Sequence, residues 1–122
     1  MTLAFDFGDA RHAGVLRRAI GFIRANLGEK ITLEMIAKEA FMSPAYFSRI
    51  FRREVGKTVQ QFIVDERLSK AESLMRAREL TLLEIAGLVG IRNQSLFNRL
   101  FVKRYGFAPG IYRKNLLYGE RA

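Results

Sequence analysis

The sequence contains no cysteine and no tryptophan, a single histidine and only two prolines. Without cysteine the chain cannot form disulfides, zinc fingers or thiol-based active sites. One histidine (His12) cannot build a histidine-rich metal site or a catalytic triad, so we expect no metal and no cofactor. The apolar runs are far shorter than the roughly 20 residues needed to span a bilayer, and the first residues lack the basic start of a signal peptide. These absences predict a soluble, cytoplasmic chain.

Acidic residues are also scarce relative to basic ones. The 122 residues include 21 Lys and Arg against 12 Asp and Glu, a formal net charge of +9, and 49% of the residues are hydrophobic. That hydrophobic share is enough for one packed domain. An excess of positive charge on so small a domain predicts a polyanionic partner, either nucleic acid or an anionic membrane surface.

Apolar residues recur at helical spacing along the chain, and no segment alternates as a β-strand does. The first helix is expected over 11–27, and a longer one from Thr58 to about Arg78. The inward side of that longer helix is predicted to carry Phe62, Val64, Leu68, Ala71 and Met75. The pattern predicts an all-α chain of seven helices.

The chain contains an internal repeat. Thr32-Leu33-x-x-Ile36-Ala37 recurs 49 residues later as Thr81-Leu82-x-x-Ile85-Ala86, and Phe47-x-Arg49-x-Phe51-x4-Gly56 recurs 50 residues later as Phe97-x-Arg99-x-Phe101-x4-Gly106. Each copy is a short capped helix, a turn and a second capped helix, which is the helix-turn-helix pattern. The predicted organisation is a loose leader (1–10), a first helix-turn-helix subdomain (11–57), a linker helix (58–78), a second helix-turn-helix subdomain (79–117) and a tail (118–122).

The second helix of each copy has one apolar side and one polar side. The apolar stripes, which we expect to be buried, are Phe47, Ile50 and Phe51, and Phe97, Leu100 and Phe101. The opposite faces carry the side chains predicted to contact DNA bases: Ala45, Ser48, Arg49, Gln94, Ser95, Asn98 and Arg99. The predicted phosphate contacts are Ser43, Arg52, Arg53, Lys57, Thr81, Arg92 and Lys103.

The helix between the two copies sets the predicted spacing of the two recognition helices. From Val59 to Arg76 it would span about 27 Å at 1.5 Å per residue, against about 34 Å for a turn of B-DNA. We therefore expect recognition helices 43–55 and 93–105 to enter adjacent major grooves. The predicted function is sequence-specific binding of double-stranded DNA, without enzymatic activity.

The motifs of the second copy resemble the signature of the DNA-binding domain of the AraC/XylS family of bacterial transcription regulators. They are Ile85-Ala86-x-x-Val89-Gly90, Gln94-Ser95-x-Phe97-x-Arg99-x-Phe101 and Gly106-x-x-Pro109-x-x-Tyr112-Arg113. The resemblance implies two helix-turn-helix units joined by a long helix, promoter binding, and activation through RNA polymerase. It places base contacts at the seven positions already named. One departure is Ile91-Arg92, where the family usually has Phe after Gly90.

Family members often carry a separate effector-binding or dimerisation domain, for which 122 residues leave no room. We accordingly expect either a stand-alone regulator or the DNA-binding part of a longer protein, with no small-molecule ligand in this segment.

Three other classes of function compete with DNA binding. A helical interaction module could use the basic surface to bind an acidic protein. A membrane-surface protein is disfavoured because the apolar stripes are needed internally and no strongly basic helix is spare. An enzyme is the least favoured, since the candidate carboxylate pair, Asp6 and Asp9, lies in the segment with the weakest pattern.

Overall fold

The computed structural model describes residues 11–119, over which seven α-helices and no β-strand are present. The helices are α1 (Ala13–Ala25), α2 (Leu33–Glu39), α3 (Pro44–Val55), α4 (Val59–Leu74), α5 (Leu82–Leu88), α6 (Gln94–Tyr105) and α7 (Pro109–Leu117). The predicted all-α class is confirmed. The predicted leader (1–10) and the last residues of the predicted tail (120–122) lie outside the described residues.

Side-chain caps begin the helices that follow the turns. The Ser43 hydroxyl accepts a hydrogen bond from the Tyr46 amide at 3.2 Å, and the Asn93 side-chain oxygen accepts one from the Leu96 amide at 2.9 Å. At α5 the Thr81 hydroxyl accepts from the Glu84 amide at 3.0 Å, while the Glu84 carboxylate accepts from the Thr81 amide at 2.8 Å. These are the donors that an uncapped helix start would leave unsatisfied.

The chain divides into two compact units, and the boundary falls between Val64 and Asp65, inside α4. In the first unit α1 packs on α2, and α2 packs on α3. Its core combines apolar residues of these helices with the first turns of α4: Leu16, Ile20, Ile23, Ile36, Ala37, Phe47, Phe51 and Phe62 are among its buried members. The Phe51 and Phe62 rings meet edge to face at 5.4 Å between centroids.

In the second unit α6 packs on both α5 and α7. Phe97 and Phe101 are fully buried, and the Phe101 ring lies 4.5 Å from the Tyr105 ring and 5.3 Å from the Tyr112 ring. Tyr112 donates a hydrogen bond to a Glu72 carboxylate oxygen at 3.0 Å. Buried aromatic side chains therefore hold one side of α6 against the core of this unit.

Helix α4 ends at Leu74, four residues before the predicted end near Arg78. Tight turns follow, in which the Met75 amide donates to the Glu72 carbonyl and the Ala77 amide to the Leu74 carbonyl. The Arg113 guanidinium then donates to the Met75 and Ala77 carbonyls at 3.0 and 2.6 Å. A side chain from α7 thus satisfies the carbonyls that a longer helix would have used itself.

Three smaller predictions also differ from the structure. Helix α1 is two residues shorter at each end than predicted, and the Asn26 side-chain amide donates to the Phe22 carbonyl just beyond its last turn. Val64 is only half-buried, whereas its neighbour Ile63 is in the core. Leu100 is also only half-buried, unlike its repeat counterpart Ile50.

Among residues 11–119, none of the helices combines the length and apolar character that crossing a bilayer requires.

Candidate nucleic-acid interface

Helix α6 separates a buried side from a side open to solvent. Phe97 and Phe101 are completely buried, and the turn of the helix directs Asn98 and Arg99 away from that side. The four predicted base-contacting residues of this helix are all exposed: Gln94, Ser95, Asn98 and Arg99. They occupy adjacent positions over the first two turns, and each can donate or accept a hydrogen bond.

Helix α3 has the same arrangement with different chemistry. Phe47 and Phe51 are buried, Ala45 and Arg49 are exposed, and Ser48 is half-buried. The structure therefore brings each predicted set together on one face of one helix. The α3 set has fewer hydrogen-bonding groups, since Ala45 has only a methyl group.

Both helices begin in a way that suits phosphate binding. Their N-caps, Ser43 and Asn93, are exposed and lie at the positive end of the helix dipole. The Ser43 oxygen accepts from its own helix, which leaves its O–H able to donate. The predicted phosphate contact Thr81 is likewise an exposed N-cap, that of α5.

The predicted cationic phosphate contacts differ in how they are held. Arg52, Arg92 and Lys103 are exposed, while Lys57 is half-buried. Arg53 is exposed and pairs with Glu54 at 3.1 Å. An ion pair this exposed to water contributes little, so it leaves Arg53 able to exchange its partner for a phosphate.

The last turn of α6 shows a division that the sequence did not reveal. Lys103 is exposed, but its neighbour Arg104 pairs with Asp65 at 3.3 Å and lies over the Tyr105 ring at 5.4 Å. A hydrogen bond with Tyr105 raises the pKa of Arg104, and the Asp65 and Glu66 carboxylates act in the same direction. Arg104 therefore serves the second unit itself, in contrast to Lys103.

Arg92 brings positive charge close to a partly buried arginine of α4. Burial lowers the pKa of Arg67, and the charge of Arg92 lowers it further.

Sequence reasoning missed two aromatic side chains beside the α3 face, Tyr46 and His12. The Tyr46 ring lies under the Arg49 guanidinium, and His12, from the start of α1, contacts the Tyr46 hydroxyl. The spacing of Tyr46 and Arg49, three residues apart on a helix, was the available signal for the first contact.

The chain is similar to bacterial proteins, among them a transcriptional regulator. It is 35% identical over 103 residues to the uncharacterized HTH-type transcriptional regulator YobQ of Bacillus subtilis, covering 84% of this chain and 42% of YobQ. It is 32% identical over 118 residues to the transposon Tn10 TetD protein of Escherichia coli, covering 96% of this chain and 86% of TetD. The chain thus spans less than half of YobQ but most of TetD.

Solved structures share the same fold. The C-terminal domain of AraT, a response regulator from Geobacillus stearothermophilus, superposes with a TM-score of 0.81 at 32% identity, covering 93% of this chain and 94% of that one. The DNA-binding domain of AdpA, a global transcriptional factor solved with a target DNA, gives 0.78 at 25% identity, covering 86% and 96%. A family model described as a helix-turn-helix domain matches residues 36–115. The chain therefore belongs to the AraC/XylS family of DNA-binding transcription regulators.

Proposed function

We propose that this chain binds double-stranded DNA sequence-specifically and regulates transcription by reading base edges in the major groove with α3 and α6. The observation that carries the proposal is the exposed face of α6, where four hydrogen-bonding side chains stand opposite two fully buried phenylalanines. The AdpA domain, solved with its target DNA, has the same fold and supports this assignment.

The side chains on the two helices differ in the bases they can recognise. Arg99 and Arg49 suit the O6 and N7 acceptors of guanine, whereas Gln94 and Asn98 suit adenine. Ala45 can offer only an apolar contact to a thymine methyl group. Helix α6 is accordingly expected to discriminate between bases more strongly than α3. The base sequence of a selected site should be more strongly restricted in the segment that α6 contacts.

One chain carries two such helices, so we propose that a single molecule reads two segments of one duplex in adjacent major grooves. The 49- and 50-residue repeat supports this, because both copies share the core pattern and carry an arginine, Arg49 or Arg99, at the equivalent position of the exposed face. The site would then be asymmetric, unlike the palindromes of helix-turn-helix dimers. Activation through RNA polymerase in the bacterial cytoplasm is the output proposed for the regulator.

The roles of base and phosphate contacts can be separated by two substitutions on α6. Arg99→Ala is expected to weaken the free energy of binding to a site selected from random duplexes by about 1–3 kcal/mol. It should also relax the base preference at one position. Lys103→Ala should weaken the binding of specific and random DNA alike. It should also reduce the slope of log affinity against log salt concentration by about one. Fluorescence anisotropy against both duplexes, over a salt series, measures these effects.

Lys30→Ala removes the same charge from an exposed position outside α3 and α6 and serves as the control. Equal losses for Arg99→Ala on specific and random DNA would contradict the assignment of Arg99 to base reading.

The two-segment site has its own test. Inserting about 5 bp, half a helical turn, between the two halves of the selected site should nearly abolish specific binding. Unchanged affinity would rule out simultaneous docking in two grooves. The alternative is a protein-interaction module whose basic surface binds an acidic protein. That alternative is favoured if excess random duplex does not displace an acidic protein bound to the chain.

A further inference from the structure

An aromatic ring lies directly beside the arginine on the DNA-facing side of α3. Tyr46 precedes Arg49 by three residues, so the two side chains share a helix face. The Arg49 guanidinium carbon lies 5.7 Å from the centroid of the Tyr46 ring, and the Tyr46 residue is 40% exposed. This is the distance at which the negative face of an aromatic ring attracts a cation.

The Tyr46 ring is itself positioned from outside α3. His12, which immediately precedes α1, places its Nε2 atom 3.4 Å from the Tyr46 hydroxyl oxygen. The two rings meet edge to face, with centroids 5.9 Å apart and planes at 89°. The His12 side chain makes no capping hydrogen bond to α1, so the ring is available for this contact.

Arg49 has space to move if the ring is removed. Tyr46, Arg49, Ile50, Arg52 and Arg53 line a surface hollow of about 460 Å³ on this side of α3. A long arginine side chain loses considerable rotamer freedom when it is fixed for binding. A side chain that is already held against a ring loses less of that freedom at the moment of binding, which strengthens the contact it makes.

We infer that Tyr46 is a positioning residue for base reading by the first helix-turn-helix unit, holding Arg49 in a limited set of orientations, and that His12 holds Tyr46. The inference rests on the proposed function, because it assigns Arg49 to a base contact. It adds a specificity determinant that does not itself recognise a base, and it links the start of α1 to the recognition surface.

The test measures the specificity ratio, which is the affinity for the selected site divided by the affinity for a random duplex, on the full chain. Tyr46→Ala should lower this ratio by about two- to five-fold, the equivalent of the 0.5–1 kcal/mol of an exposed cation–π contact. Sites reselected with this variant should lose base preference at the position that Arg49→Ala also relaxes, and at no other. Tyr46→Phe keeps the ring and should recover most of the loss.

A double-mutant cycle separates positioning from direct contact. If Tyr46 acts through Arg49, the Tyr46→Ala, Arg49→Ala double variant should have the same ratio as Arg49→Ala alone. Additive losses would mean that Tyr46 contacts DNA independently and would overturn the inference. His12→Ala should lower the ratio in the same direction as Tyr46→Ala, and an unchanged ratio would overturn the part assigned to His12.

Tyr118 provides a matched control, since it is 52% exposed and carries the Arg78 guanidinium 5.0 Å from its ring centroid, but lies outside α3 and α6. Tyr118→Ala should leave the ratio unchanged. If Arg49→Ala lowers the ratio and Tyr46→Ala does not, the inference fails while the proposed function stands. If Arg49→Ala has no effect, the assignment of Arg49 as a base reader fails, and the inference fails with it.

Discussion

Phe41 occupies a backbone conformation that side chains other than glycine rarely adopt. Its φ angle is +57°, and the residue is 84% exposed, in the turn between α2 and α3. The corresponding residue of the second repeat is Gly90, at a φ of +85°. Both turns close in the same way, because the Met42 amide donates to the Ala37 carbonyl and the Ile91 amide to the Ala86 carbonyl. The left-handed conformation is strained by about 1–2 kcal/mol for a residue with a Cβ.

Phe41→Gly is therefore expected to stabilise the chain by about 0.5–1 kcal/mol, since it removes the strain at the cost of a more flexible unfolded chain. Little burial is lost because the ring is exposed. Urea denaturation measures the change, and Phe41→Ala is the control, since it removes the ring but keeps the strain. A glycine variant no more stable than the alanine variant would contradict the explanation.

Tyr112 links α7 to α4 through its hydrogen bond to Glu72. Burial raises the pKa of Tyr112, and the hydrogen bond to the Glu72 carboxylate raises it further. A phenol with a raised pKa stabilises the fold fully below the unfolded pKa of about 10, and this contribution is lost as the pH rises towards the folded value.

Tyr112→Phe should lower the free energy of unfolding by about 1 kcal/mol at pH 7, the usual net contribution of a hydrogen bond. The difference between the native chain and the variant should shrink as the pH rises above about 10, where the unfolded phenol ionises. Urea denaturation at several pH values from 7 to about 10.5 tests this. A difference that stays constant over that interval would contradict the stated pKa direction.

At the scale of elements, the C-terminal ends of α3 and α6 are set by local backbone conformation and short-range hydrogen bonds. Helices α3 and α6 each end at a glycine with positive φ, Gly56 at +91° and Gly106 at +86°. An added Cβ at either position would meet nothing within 4 Å, so lack of space is not the reason for glycine. The positive φ angle is what favours glycine there. A glycine in the middle of a helix has no such requirement.

The same substitution should consequently have opposite effects at two sites. Gly21→Ala, at an exposed position within α1 where a Cβ meets nothing, should stabilise the chain by about 0.5–1 kcal/mol. Gly56→Ala should destabilise it by about 1–2 kcal/mol because of the left-handed backbone. Thermal unfolding of both variants measures the direction of each stability change. Changes in the same direction would contradict the roles given to helix propensity at Gly21 and to backbone strain at Gly56.

At the scale of the molecule, each unit contains its own aromatic core. Phe51 is completely buried in the first unit and Phe101 in the second, at equivalent positions of the repeat. Truncating either to alanine should cost about 3–5 kcal/mol. Phe51→Ala should accelerate amide hydrogen exchange mainly in residues 11–64, and Phe101→Ala mainly in residues 65–119. Equal acceleration in both units for either variant would show that they unfold as one.

Sequence alone was sufficient for the class of fold, the repeat, the helix caps and the exposed faces of α3 and α6. Each of these depends on interactions between residues close in the chain. The Thr81 and Glu84 capping box spans three residues, and the spacing of Phe97 and Phe101 identifies the buried side of a helix, from which the opposite face follows.

Tertiary structure decided the features that depend on distant side chains. Helix α4 ends at Leu74, and Arg113, more than thirty residues later, binds the carbonyls of Met75 and Ala77 just beyond it. His12, 34 residues earlier, contacts the Tyr46 hydroxyl, and Asp65 pairs with the exposed Arg104. A periodic pattern records which side of a helix is apolar, but it does not contain the identity of the side chain that packing brings to that helix from elsewhere in the chain.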